Sequence, residues 1–118
     1  MVLYHPRGIV PFSEKIFKPI ISKKPFVLFG TQQIYKAMKE FGFYTFDELI
    51  DSEKYESIEN IKERLIFVCN SIKEICEWDL NKLENYFVNQ KNNIEHNYSR
   101  LKELIDENDK KFLELFNY

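Results

Sequence analysis

The chain has 118 residues and a mass of 14.3 kDa, which allows one ordinary domain. With 44% hydrophobic and 31% charged residues, 11 Phe and 7 Tyr but only 3 Gly and 4 Pro, it excludes collagen, a Gly/Pro linker and a disordered chain. The net charge of −2 hides a split, because residues 1–46 hold seven basic groups (Arg7, Lys15, Lys18, Lys23, Lys24, Lys36, Lys39) against Glu14 and Glu40, so the front carries +5 and the rest −7.

A basic front is where an anionic ligand is expected to dock, unless the imbalance is only a solvated surface. Seven Lys and Arg do not make a nucleic-acid stripe, so nucleic acid is not an expected partner. No apolar run approaches the ~20 residues of a membrane span. Pro6, Arg7, Pro11, Glu14 and Lys15 interrupt the start, so a signal peptide is not expected and the expected location is cytoplasmic, the host cytoplasm if the chain is viral.

In chain order, Ser13 is placed to cap a short helix over Glu14–Lys18, and Pro19 argues against a long one. Pro25–Gly30 is a short apolar run with β-favouring content and reads as a buried strand. Thr31 is placed to cap a helix whose Ile34, Met38 and Phe41 share one face, and Gly42 stands where a C′ glycine ends it. Phe43–Phe46 reads as a second strand, and Asp47 as the cap of one more turn ending near Asp51. The expected fold class is therefore α+β and α-rich: a partial Rossmann-like β-α-β unit over residues 1–56, then a helical region over residues 57–118 that packs on it or on a partner.

In that second part Ser57 precedes Ile58, Ile61, Leu65, Val68, Cys69, Ile72 and Cys76 at helical spacing. Ile61, Leu65, Val68 and Ile72 are expected to pack against Phe26, Leu28, Ile34, Met38, Phe41, Phe43 and Phe46 as one core. Glu77-Trp78 looks like a break, with Asp79 capping the next helix; Asn89–Asn93 is either a loop or an exposed turn. Leu80, Leu83, Phe87, Ile94, Leu101, Leu104 and Leu115 form a seam with polar gaps, too poor for a coiled coil alone. Cys69 and Cys76 lie about 10 Å apart along one helix, too far for a disulfide, and read as small core residues. The tail carries more apolar surface than the front can cover, so a second copy is expected, the alternative being a tail that folds back.

No nucleophile elbow, P-loop, dinucleotide fingerprint or zinc motif is present; no metal, cofactor or catalytic residue is expected. Gly30-Thr31 can offer backbone N–H groups to a phosphate, or be a bare turn. Glu14 and Lys15, side by side after Ser13, can hold a sugar hydroxyl and a phosphate oxygen, or form an exposed charged turn.

These residues carry a family resemblance. Phe12-Ser-Glu-Lys-Ile-Phe-Lys-Pro-Ile20 and Lys24-Pro-Phe-Val-Leu-Phe-Gly30 resemble the C-terminal region of fucosyltransferase-like glycosyltransferases, phage and bacterial relatives included. Further blocks follow in order: Gly42-Phe-Tyr-Thr-Phe46, Asp51-Ser-Glu-Lys-Tyr-Glu56, Arg64 and Ile94-Glu-His-Asn97. The resemblance implies a two-Rossmann-domain transferase whose C-terminal domain binds a sugar nucleotide, with Glu14 on the donor sugar or ribose and Lys15 on its diphosphate. A cation there would stabilise charge developing on the leaving group. It puts the catalytic base in an N-terminal domain, which a chain starting eleven residues before Phe12 is expected to lack. The expected function is the sugar-nucleotide-binding part of such an enzyme, inactive alone, with a nucleotide sugar and a separately encoded glycosyltransferase half or a second copy as partners. The alternative is a small helical interaction or viral accessory protein without catalytic activity.

Overall fold

The computed structural model describes residues 14–107. A 3-10 turn over Glu14–Phe17 runs into α1 (Lys18–Ile21), where Pro19 fits because the first helical turn needs no N–H donor. α2 (Ile34–Glu40), α3 (Ser52–Ser57), α4 (Ile61–Cys76), α5 (Leu80–Asn89) and α6 (Lys91–Asp106) follow.

Three caps set these bounds. The side chains of Asp51, Asn60 and Asp79 accept the backbone N–H of Lys54, Glu63 and Lys82 at the starts of α3, α4 and α5. The expected caps at Thr31 and Asp47 are replaced: α2 starts at Ile34 after Gln33, and Asp47 binds side chains instead. Ser57 closes α3 rather than opening α4. α2 ends as expected, with Gly42 at φ +91°. Gly42 N–H bonds to Lys39 O and Phe43 N–H to Met38 O, the paired bonds of a Schellman ending, and Met38 and Phe43 are both buried beneath it. Between α5 and α6 the break is the single residue Gln90.

No strand is present among the described residues, so the β-α-β unit is not formed; the described chain is helical with irregular connections. The physical reason is the lack of a ladder. The two segments expected to pair do not exchange backbone hydrogen bonds; each is held by side chains from helices. Both are nonetheless core: Phe26, Leu28, Phe43 and Phe46 are buried, and the Phe26 and Phe46 rings meet edge to face at 5.0 Å.

One core gathers Ile16, Phe17 and Ile20 from the first turns, Ile34, Tyr35 and Met38 from α2, Tyr55 from α3, Val68 from α4 and Leu101 and Leu104 from α6. α1 packs on α6, fastened by the Lys23–Glu95 ion pair at 3.2 Å. α2 packs on α3, α3 on α4 and α5 on α6. Only Arg64 and Val68 of α4 are buried, so the expectation for Ile61, Leu65 and Ile72 is overturned: they are 62%, 45% and 44% exposed. Cys69 and Cys76 are free and exposed, not core residues. The 3.6-residue period shows that α4 has an apolar stripe; it does not say which side faces the domain.

Candidate functional site

The residues that carry chemistry here are polar groups gripping backbone. Around Leu28–Thr31 two tyrosines do so. Tyr35 Oη accepts Leu28 N–H at 2.7 Å and donates to Leu28 O at 3.0 Å. Tyr55 Oη accepts Gly30 N–H at 3.0 Å and lies 2.9 Å from both Gly30 O and Thr31 O. The two rings pack edge to face at 5.0 Å. Burial raises both phenols above their ordinary value, so both remain protonated donors.

Arg64 closes this cluster from α4. Its Nη1 donates to Ile58 O and Glu59 O at 3.0 and 2.8 Å, and Nη2 to Gly30 O at 3.4 Å. It is 6% exposed and has no carboxylate partner among the described residues, so carbonyl dipoles carry its charge. Arg64 Nε and Thr31 Oγ1 are buried without a partner among the described residues. The cluster is a structural rivet: apart from those two, its donors are spent on backbone.

A second cluster grips Phe41–Phe46 from α6. Asn97 Oδ1 accepts Tyr44 N–H at 2.7 Å and its Nδ2 donates to Tyr44 O at 2.9 Å, giving Tyr44 the bonds a neighbouring strand would give. His96 Nε2 is 2.7 Å from Gly42 O, and Arg100 Nε donates to Phe41 O at 2.6 Å. On the far side, Asp47 accepts from Lys39, Thr45 and Ser52 at 2.8, 2.6 and 2.9 Å. Burial works against its charge, but those three hydrogen bonds outweigh it and hold the carboxyl below its ordinary value.

Glu48 receives the phenols of Tyr44 and of Tyr86, the latter at 3.0 Å. Desolvation first, then the Glu48 carboxylate, push Tyr44 up to about 12 and Tyr86 higher.

Glu14 and Lys15 open the 3-10 turn, as the short-helix reading expects for their backbone; their side chains, with Ser13 and His5, lie outside the described residues. Gly30 does not serve a phosphate: its N–H is taken by Tyr55, and α2 begins four residues later. No group of His, Cys, Asp and Glu among the described residues could hold a metal ion, and no helix there is long and apolar enough to cross a membrane. Asn97 and the two gripping tyrosines gave no signal by spacing, because a side chain that binds distant backbone leaves no period in the sequence. Tyr55, Arg64, His96 and Asn97 all stand inside the blocks that carry the family resemblance. No family model, curated protein or solved structure matches the chain.

Proposed function

We propose that the chain is the sugar-nucleotide-binding part of a fucosyltransferase-like glycosyltransferase, with Glu14 and Lys15 meeting the donor. One observation supports the reading: the separate blocks of the resemblance are bonded to one another. His96 and Asn97 bind the Gly42–Phe46 block, and Tyr55 and Arg64 bind Gly30. The residues quoted for the resemblance thus share one physical task in this chain. The test is calorimetric titration with GDP, UDP and their sugars. Binding heat that disappears in Lys15→Ala supports the reading; no heat with any of them overturns it.

A second reading, a helical interaction protein without catalysis, is favoured by the exposed face of α4. Ile61, Leu65, Cys69, Ile72 and Cys76 fall within an arc of about 80°, and all are exposed. Their spacing is nearly palindromic about Val68 and Cys69. In an antiparallel pair of α4 helices Ile61 meets Cys76 of the second copy and Leu65 meets its Ile72, which makes a second copy the partner this face suits. Light scattering at micromolar concentration separates the two readings when combined with the titration.

A further inference from the structure

The segment Pro25–Phe29 is free of helix and turn and runs into a bend at Gly30, and its hydrogen bonding shows which way each residue faces. Leu28 directs both N–H and C=O at the one hydroxyl of Tyr35, and Gly30 directs both at that of Tyr55. A helical residue points these groups in opposite directions along the axis; only an extended residue aims both to one side. The edge alternates residue by residue, so Val27 and Phe29 face the other way. Neither makes a backbone hydrogen bond with any described residue. Both are half-buried, with side chains packed on the core, so their backbone groups sit at the rim of an apolar site. Unpaired N–H and C=O groups in such a place are costly, and proteins pair nearly all of them.

The geometry points to this edge as a docking site for one extended strand of another polypeptide, apolar at the positions that line up with Val27 and Phe29 and acidic at the flank beside Lys24. The backbone pattern selects a strand, because only an extended partner offers a donor and an acceptor at two-residue spacing. The apolar character follows from the core beneath both faces of the segment: Phe26 and Leu28 are buried, and Val27 and Phe29 are packed against it. The acidic flank follows from charge. Lys24 precedes the strand as an exposed cation, whereas Lys23 beside it is already paired with Glu95. A second copy would bring two such cations together, so a different chain is the better occupant. The inference does not depend on nucleotide binding and stands if the titration fails.

The test is amide hydrogen exchange on the full chain, with and without a capped peptide Asp-Glu-Val-Thr-Val-Ile-Val-Glu-Asp. In the free chain the Leu28 and Gly30 amides should be protected and those of Val27 and Phe29 should exchange at least about tenfold faster. Saturating peptide should slow Val27 and Phe29 by about tenfold or more and leave the helix amides of α5 unchanged. Phe29→Pro removes one edge donor, spares both tyrosine bonds and asks Leu28 only for the extended state it already has. It should abolish the peptide's protection while the circular dichroism spectrum stays near the parent's, with a lower melting temperature from the lost Phe29 packing; Val27→Pro is the second variant should Phe29→Pro not fold. Protection of Val27 and Phe29 in the dilute free chain overturns the inference, as does a peptide that protects neither. Protection that grows with chain concentration assigns the edge to a second copy and overturns the heterologous strand.

Discussion

Asn97 is a buried amide whose two polar atoms are both spent on Tyr44. Replacing it with alanine strands one donor and one acceptor in a half-buried place, so Asn97→Ala should cost about 2–4 kcal/mol in urea unfolding; a loss under about 0.5 kcal/mol would show that water takes over both bonds. Asp47 makes a different prediction, in pH. Its carboxyl sits lower when folded than the ~3.9 of an unperturbed Asp. Its stabilisation is therefore present above that unfolded value and is lost as pH falls through the folded one. The ion pair with Lys39 is 43% exposed on the Asp47 side, so solvent screens it. Asp47→Asn should then cost up to about 1 kcal/mol at neutral pH. The urea midpoints of parent and variant should approach one another as pH falls below the ordinary carboxylate range; a gap that stays constant through acid would mean that charge plays no part.

At the scale of elements, Gly42 and Leu65 show what a sequence can and cannot convey. Gly42 was legible because a helix ending in the left-handed region has a strong local preference for glycine. A Cβ there would lie 2.9 Å from Arg100 Nε, itself bonded to Phe41 O, and φ is +91°. Gly42→Ala should cost about 1–2 kcal/mol, read as a lower melting temperature. The Leu65 period was equally clear, yet its direction was not, since the stripe is wider than the contact: Val68 at its edge meets the domain, while Ile61, Leu65 and Ile72 beside it stay exposed. Leu65→Ala should now change stability by less than about 1 kcal/mol, against about 2–5 for the fully buried Leu104→Ala; equal costs would contradict the burial of α4. The Pro25–Gly30 and Phe43–Phe46 segments were legible as buried non-helical apolar chain but neither as unpaired nor as ending in a bend at Gly30 and at φ +53° in Phe46, because composition favours an extended backbone without naming the ladder beside it. Tyr35, Tyr55 and Asn97 supply that pairing by side chain. Of the candidate site, the resemblance named the blocks that meet in space, whereas no local pattern in them told that their task is to hold backbone.

At the scale of the whole molecule, α4 leaves much of its apolar stripe uncovered. Arg64 and Val68, at one edge of the stripe, meet the domain, while Ile61, Leu65, Ile72 and both cysteines beside them face solvent. Packing two such helices antiparallel removes both stripes from water at once, and the near-palindrome sets the register, with the two-fold axis passing between Val68 and Cys69. Two facing helices sit 8–10 Å apart, so the two Cys69 thiols would lie within reach of a short bifunctional maleimide. The two Cys76 thiols would stand about 22 Å apart, fifteen residues of rise along the helix. The dimer therefore predicts a cross-link that forms at micromolar concentration, survives Cys76→Ser and vanishes in Cys69→Ser. Leu65→Glu should abolish it while leaving the helical spectrum intact, because Leu65 is exposed in the single chain but would be central in the pair. A monomer mass in light scattering, or a cross-link carried equally well by Cys76, would exclude this arrangement. The strand edge at Val27 and Phe29 belongs to a different segment of the chain, so Leu65→Glu should leave peptide protection there unchanged. Loss of both together would mean that one interface, not two, covers this protein.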